Sequence, residues 1–113
     1  IRENHQLSVR GVDLFREPIP FADCSFDYVT AFDFIEHVPR VCGDGATRFP
    51  FVELMDEIHR VLKVGGFFFA KTPAYPFPEA FQDPTHVNVI TEETFSLYFL
   101  RRRESSPGPC IWF

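Results

Sequence analysis

The pattern of apolar and polar positions predicts three strands and two helices, in the order strand, strand, helix, strand, helix. Apolar and polar residues alternate over Leu7–Val12, which predicts a short strand that ends at Asp13. A run of aromatic and β-branched residues over Phe26–Phe32 predicts a second, buried strand. Pro18 and Pro20 lie between the two strands and exclude a helix there.

The clearest helical pattern begins at Pro50 and extends to Lys63. Its apolar residues recur at intervals of three and four, with acidic side chains early and basic side chains late, as the helix dipole favours. We expect Gly65 and Gly66 to end this helix. The following segment, Phe67–Thr72, is apolar at nearly every position, which predicts a strand buried on both faces, as parallel strands are.

The remainder of the chain holds an irregular stretch and one further helix. Four prolines lie between Pro73 and Val89. A second helix is predicted to begin at Thr91, whose hydroxyl can cap it, with the carboxylates of Glu92 and Glu93 in the first turn. Strands separated by a helix indicate parallel pairing, so the sequence predicts an α/β fold.

Composition narrows the functional classes. The 113 residues carry 11 Lys and Arg against 16 Asp and Glu, a formal net charge of −5, so the basic character of many nucleic-acid-binding domains is absent. No apolar run approaches the roughly 18 residues of a membrane span, and we expect no membrane partner. The cysteines, Cys24, Cys42 and Cys110, are odd in number and form no CxxC pair, which argues against a disulfide framework and favours a reducing, cytoplasmic setting.

Two segments together resemble one enzyme family. The run from Ile19 to Val38, IPFADCSFDYVTAFDFIEHV, and the run from Glu57 to Pro73, EIHRVLKVGGFFFAKTP, are similar to the C-terminal half of class I S-adenosylmethionine-dependent methyltransferases. In that family, a PF.d.sFD.V segment leads into the fourth strand, and a helix that ends R.LK.GG leads into the fifth. The resemblance implies a partial Rossmann-like sheet of mostly parallel strands with flanking helices, in one partial domain over residues 1–113. It also implies methyl transfer from S-adenosylmethionine to an unidentified acceptor.

One motif of that family is absent from the sequence. There is no GxGxG, the glycine-rich loop that holds the amino-acid end of the cofactor, and Gly43-Asp44-Gly45 neither follows a predicted strand nor opens a helix. The chain also begins at Ile1, and its one methionine is Met55. We therefore expect a fragment that is inactive alone and binds the cofactor weakly or not at all. The alternative is a non-catalytic methyltransferase-like fragment that acts as an interaction module.

The resemblance implies a set of cofactor-binding residues. These are Asp13, Leu14, Phe32 and Asp33, with Asp13 as the acidic residue that receives the adenine amino group. A carboxylate at the C-terminal end of a parallel strand lies at the crevice where ligands bind. The alternative for Asp13 is that it caps its own loop.

A metal site is implied by a second, narrower resemblance. The run from Asp33 to His37 is similar to the metal-ligand run of ubiquinone-pathway O-methyltransferases and small-RNA 2′-O-methyltransferases, and His86 is placed to be the further ligand of the RNA enzymes. The implied ligands are Asp33, Glu36, His37 and His86, which suit a divalent cation that orients and acidifies a hydroxyl. Those groups usually carry Glu where this chain has Asp33. The alternative is a metal-free site in which His37 is the catalytic residue that lines the methyl-transfer position.

The sequence gives weaker indications about partners. A small-molecule hydroxyl or amine is the expected acceptor, and Tyr75, Phe77 and Phe81 are candidates to line its pocket, because long loops in compact domains are often functional. RNA has weaker support, since Arg101–Arg103 already suits the end of a helix. By the family resemblance, Leu7–Val12 and Phe26–Phe32 correspond to the third and fourth strands of the family, which are not neighbours in its sheet. We therefore expect either a collapse of Leu7–Val12 onto Phe26–Phe32, or a bare sheet edge that drives self-association.

Overall fold

The fold is a two-stranded parallel sheet with a helix in the connection between its strands. The structure, a computed structural model, describes residues 9–43 and 45–99. Its main elements are β1 (Phe26–Phe32), β2 (Cys42–Gly43), β3 (Thr47–Arg48), α1 (Pro50–Val61) and β4 (Leu62–Lys71). β1 pairs with β4 in parallel, and β2 with β3 in a short antiparallel hairpin. The predicted α/β class and the parallel pairing are confirmed.

Helix α1 forms the core with the sheet. Pro50 occupies its first turn, where a missing N–H costs nothing, and Phe51, Leu54, Met55 and Ile58 are buried along one face. The helix ends at Val61, two residues before the predicted end, because Leu62 is already extended and begins β4.

The two glycines serve the strand and not the helix end. Phe26 pairs with Leu62, but Tyr28 pairs with Phe67, so β4 contains an irregularity between these pairs. Gly65 lies in this segment with a φ of 83°, which favours glycine. A Cβ on Gly66 would lie 2.9 Å from both the Asp27 and the Lys63 backbone oxygens. The prediction that these glycines end the helix is therefore wrong.

The faces of the sheet differ in burial. Val29 and Ala31 of β1, with Phe68 and Ala70 of β4, pack against the core. The alternate residues are exposed and include four aromatic side chains: Tyr28, Phe32, Phe67 and Phe69. The prediction of a strand buried on both faces is wrong, because α1 and its neighbours cover only one face within the described part of the chain.

The segment before β1 is held by an arginine and not by strand pairing. Val9–Val12, the described part of the predicted first strand, is irregular, so that strand is not formed there. Arg60 of α1 donates hydrogen bonds to the carbonyl oxygens of Ile19 and Phe21 and to the carboxylates of Asp23 and Glu57. These bonds fix residues 19–23 beside the helix at the entrance to β1.

The final described helix is short and π-helical, over Thr94–Phe99. It begins at Thr94, three residues after the predicted start, and the Thr91 hydroxyl accepts a hydrogen bond from the Glu93 N–H at 3.2 Å in the turn before it. The ring of Phe99 lies 5.4 Å from that of Phe51, which attaches this helix to α1. Arg101–Arg103 lies outside the described residues.

Two further observations concern the cysteines and the membrane. Cys24 is disulfide-bonded and Cys42 is a free thiol. None of the helices in the described residues is long and apolar enough to cross a membrane.

Candidate metal centre

The candidate site begins where β1 ends. Asp33 follows the strand with a φ of 51° and donates its backbone N–H to the Lys71 oxygen at 2.8 Å, which extends the pairing with β4 by one bond. The chain then forms a 3-10 turn over Ile35–His37, with Ile35 and Glu36 buried. The turn thus places Glu36 and His37 at the carboxyl end of a parallel strand, the usual position of ligand sites in such sheets.

A second segment, residues 83–90, packs onto this turn through polar contacts. The backbone N–H groups of Val87 and Asn88 donate to the Glu36 carbonyl oxygen at 2.9 and 3.1 Å. The buried Asn88 amide donates to the Ile35 oxygen at 3.0 Å and accepts from Arg40 Nε at 2.6 Å. These bonds bring His86 to the turn without any regular secondary structure.

Glu36 is a buried carboxylate with one oxygen left unpaired. Its residue is 2% exposed, and Oε2 accepts a hydrogen bond from the Thr72 hydroxyl at 2.8 Å. Oε1 lies 3.8 Å from His37 Nε2, beyond hydrogen-bond distance, and has no hydrogen-bond donor among the described residues. A buried carboxylate oxygen without a donor is costly, so this oxygen is suited to ligate a cation.

Both histidines are held through the same ring nitrogen. His37 Nδ1 lies 3.1 Å from the Thr85 carbonyl oxygen, and His86 Nδ1 lies 3.1 Å from that of Glu79. Because a carbonyl only accepts, each Nδ1 carries the proton and donates it, which leaves Nε2 of each neutral ring with a free lone pair. Histidines that bind metals are commonly oriented by this second hydrogen bond.

The structure brings three of the four predicted ligands together. Glu36, His37 and His86 each offer a ligand atom, and these atoms lie within 4.8 Å of one another. The two imidazole rings are 4.9 Å apart. Asp33 is exposed and is not a member of this group. One carboxylate and two imidazoles fit a divalent transition metal such as Zn²⁺ or Mn²⁺, and the metal itself stays a prediction.

Thr85, which is held by Asp83, contacts Nδ1 of His37, whereas Nε2 is the ring nitrogen near Glu36. The Thr85 hydroxyl donates to Asp83 Oδ1 at 2.7 Å, and the Thr85 N–H donates to the same oxygen at 2.8 Å. These two bonds, the hydroxyl's first, lower the pKa of Asp83. Asp83 is therefore an ionised, acceptor-only group at neutral pH.

The predicted cofactor residues occupy two places. Phe32 and Asp33 lie at the end of β1, beside the metal-ligand group. Asp13 lies in a turn, where its carboxylate accepts from the Phe15 N–H and from Arg16, and these contacts lower its pKa. The structure thus shows the loop-capping contacts that were the alternative for Asp13. Leu14 packs against the core and lines a separate cavity of about 320 Å³.

The aromatic residues of the long loop are exposed. Tyr75, Phe77 and Phe81 each expose more than half of their surface, and the rings of Tyr75 and Phe81 are 6.2 Å apart. Glu79, whose carbonyl oxygen orients His86, lies between them in sequence. Their role in lining an acceptor pocket stays a prediction.

Four residues that contact this site were not predicted from the sequence: Arg40, Thr72, Thr85 and Asn88. Thr72 is the final residue of the predicted third strand, so its position at a strand end was a usable signal. The other three lie in loops without periodicity, and only the tertiary contacts reveal them.

Comparison with known proteins gives one match. A family model described as a methyltransferase domain matches residues 2–70, more than half of the chain, and includes β1, Glu36, His37 and α1. Comparisons with curated proteins and with solved structures find no match.

Proposed function

The chain belongs to the methyltransferase domain family, and from this premise we propose that it takes part in the transfer of a methyl group from S-adenosylmethionine to a hydroxyl or amine of a small molecule. The observation that carries the proposal is the convergence of Glu36, His37 and His86 at the carboxyl end of β1. Ligands of parallel α/β sheets bind at that end, so donor and acceptor would meet beside these side chains.

The cofactor side of the proposal uses the end of β1. Phe32 is exposed there and offers an apolar surface for the adenine ring, and Asp33 offers a carboxylate beside it. Asp13 and Leu14 keep their proposed cofactor role from the family resemblance. The capping contacts of Asp13 with Phe15 and Arg16 argue for a smaller contribution from its carboxylate.

The acceptor side uses the metal-ligand group. Glu36, His37 and His86 would hold a divalent cation, whose chemistry when bound is to orient an acceptor hydroxyl and to lower its pKa. The buried Glu36 supplies the negative charge, and Thr72 fixes the orientation of that carboxylate. The chain's own contribution is thus to position the acceptor for in-line attack on the methyl group.

His37 is the proposed catalytic residue. Its ring is half-buried, and its Nε2 lone pair is directed away from the Thr85 carbonyl that binds Nδ1. In a metal-free site this nitrogen would accept the proton that the acceptor releases, as a general base does. Dependence on a metal therefore decides which of the two roles His37 has.

The acceptor proposal favours small molecules over RNA. The net charge of −5 opposes binding to a phosphate backbone, and the exposed Tyr75, Phe77 and Phe81 offer aromatic surface for a small organic ring. A nucleic-acid acceptor would instead require basic residues around the site.

Metal binding by the chain is the first experiment. Isothermal titration calorimetry with Zn²⁺ and Mn²⁺ is expected to show one site, and Glu36→Gln to weaken binding at least about tenfold, since a buried ligand charge is removed. Glu79→Gln is the matched control, because only the backbone oxygen of Glu79 contacts His86. Equal binding by both variants would contradict the proposed ligand set.

Because the chain alone is expected to be inactive, methyl transfer is tested in the full-length protein, with radiolabelled S-adenosylmethionine and a panel of hydroxyl and amine acceptors, with and without excess chelator. Loss of activity in chelator, and in Glu36→Gln and His86→Ala, supports the metal. Full activity in chelator, with loss in His37→Ala, removes the metal and leaves His37 as the base.

The second candidate is a non-catalytic module with a methyltransferase-like fold. The absence of a GxGxG motif from the sequence and the exposed aromatic face of the sheet favour it. The two candidates differ in cofactor binding. In the full-length protein, micromolar binding of S-adenosylmethionine, weakened by Asp33→Ala, supports the enzyme, and concentration-dependent association without cofactor binding supports the module.

A further inference from the structure

We infer that Thr85, itself held by Asp83, is a positioning residue that fixes the proton of His37 on Nδ1 and keeps its Nε2 lone pair available to the site. This inference rests on the proposed function, because it assigns a purpose to the orientation of His37. Asp83 and Thr85 lie outside the matched 2–70 segment, whereas His37 lies inside it, and the inference depends on hydrogen bonds between these two distant parts of the chain.

Two acceptors surround the same imidazole nitrogen. His37 Nδ1 lies 3.1 Å from the Thr85 carbonyl oxygen and 3.0 Å from the Thr85 hydroxyl oxygen. The carbonyl has no proton to give. The hydroxyl proton is already donated to Asp83 Oδ1 at 2.7 Å, and an ionised carboxylate only accepts. Both contacts therefore require a proton on Nδ1.

The supporting loop is itself fixed. The Thr85 N–H donates to Asp83 Oδ1, and the His86 N–H donates to the Asp83 carbonyl oxygen at 3.0 Å. The next two backbone N–H groups bind the Glu36 carbonyl oxygen. Thr85 is thus bound on both sides by hydrogen bonds, so its two oxygens are preorganised to receive the His37 proton.

The consequence is chemical and not only structural. With Nδ1 protonated, neutral His37 presents an unprotonated Nε2, 3.8 Å from Glu36 Oε1. An unprotonated nitrogen at this position can ligate a cation or accept a proton, and a protonated one can do neither. His86 reaches the same state through a different acceptor, the Glu79 carbonyl, and so provides an internal reference.

The test is the imidazole ¹⁵N spectrum of the metal-free chain, above the pH range in which histidine protonates. The wild type is expected to show a protonated Nδ1 and an unprotonated Nε2 for His37 and for His86. Thr85→Val removes the hydroxyl and is expected to raise the Nε2-protonated population of His37 while His86 keeps its state. Thr85→Ser is expected to restore the wild-type spectrum of His37.

A second readout is Zn²⁺ affinity, which is expected to fall about tenfold in Thr85→Val and to recover in Thr85→Ser. A wild-type spectrum with the proton on Nε2 of His37 overturns the inference. An unchanged His37 spectrum in Thr85→Val would show that the backbone carbonyl alone holds the proton, and overturns the role of the Thr85 hydroxyl. If the spectra behave as expected but no Zn²⁺ binds to the wild type, the metal proposal fails and the inference stands. Loss of the His86 signals in Thr85→Val would indicate unfolding. The wild-type and Thr85→Ser spectra then decide: a proton on Nδ1 of His37 in both supports the inference, and a proton on Nε2 in either overturns it.

Discussion

The two faces of the β1–β4 sheet have similar apolar content and opposite environments. On one face, Val29 and Phe68 pack against the core that α1 provides. On the other, Tyr28 stacks on Phe67 at 5.5 Å, and Phe32 meets Phe69 at 6.0 Å, with each ring more than half exposed. Neighbouring residues of one strand therefore differ in what they contribute. Burial against a partner, and not hydrophobicity alone, determines the stability that an apolar residue adds.

The exposed face of the sheet is a candidate surface for self-association. Exposed apolar surface that is contiguous commonly marks a binding region, and β1 pairs only with β4 in the described part of the chain. An open strand edge beside four exposed aromatic rings is suited to pairing with a second sheet edge. We therefore expect the covered face to contribute to stability and the exposed face to contribute to association.

The largest loss of stability is expected at Gly66, where the backbone of β4 passes close to that of β1. In Gly66→Ala, the new Cβ would lie 2.9 Å from two backbone oxygens, which neither strand can avoid without moving. We expect a loss of about 3 kcal/mol in the free energy of unfolding, measured by urea denaturation. Gly11→Ala is the control, since nothing lies within 4 Å of its Cβ position, and it should change stability by less than about 0.5 kcal/mol.

The next prediction compares adjacent residues on opposite faces. Phe68→Ala removes a ring that packs on the core beside Phe95, and we expect it to cost about 2 kcal/mol, less than for a fully buried ring. Phe69→Ala removes the same atoms from the exposed face and should cost about 0.5 kcal/mol or less. Equal costs in urea denaturation would show that the exposed face is covered in solution.

The positions of the strands and of the helix were largely predictable from the sequence, but which face of the sheet is covered was not. The residues of β1 and α1 carry patterns that require no knowledge of their neighbours. The run over Phe67–Thr72 is apolar on both faces, so the pattern alone could not show that only one face is covered. Gly65 and Gly66 resemble a helix stop in sequence, whereas the pairing of Leu62 with Phe26 ends the helix earlier.

The grouping of Glu36, His37 and His86 was predictable from the sequence, but the residues that hold this group in place were not. Glu36 and His37 follow a strand, and His86 was inferred from a family resemblance. Thr85 and Asn88 act through hydrogen bonds across 48 and 53 positions of sequence, respectively, and such contacts leave no periodic signal. Asp33 was also expected among the ligands, but it is exposed and is not a member of the group.

The third prediction addresses the exposed face directly. We expect the chain to self-associate in sedimentation velocity as its concentration rises, and Phe69→Lys to raise the dissociation constant about tenfold, because a charge replaces an aromatic contact. Val64→Lys is the matched control, as it places the same charge at an exposed apolar residue of β4 outside the aromatic face. A monomer at every concentration would show that this face drives no association.

The smallest expected effect is a pH-dependent loss of stability at the pair formed by Arg60 and Glu57 of α1, on the covered side of the sheet. Arg60 donates two hydrogen bonds of 2.9 Å to Glu57, and the first cause of the lowered pKa of Glu57 is this pairing. A carboxyl whose pKa is lowered by folding adds stability above its ordinary value of 4.5, and that stability is lost as the pH falls through the folded value. Acid should therefore loosen the attachment of residues 19–23 to α1.

Glu57→Gln is expected to lower stability by about 1 kcal/mol at pH 7, because the charge-assisted pair with Arg60 becomes a neutral one. The difference from the wild type should shrink as the pH falls below 4.5, where wild-type Glu57 is increasingly protonated. Asp27→Asn is the control, since Asp27 is exposed and its pair with Lys63 is at the surface. Urea denaturation from pH 7 to pH 3 measures both variants. A constant difference in the free energy of unfolding between Glu57→Gln and the wild type across that range would mean that the Arg60–Glu57 pair adds no pH-dependent stability.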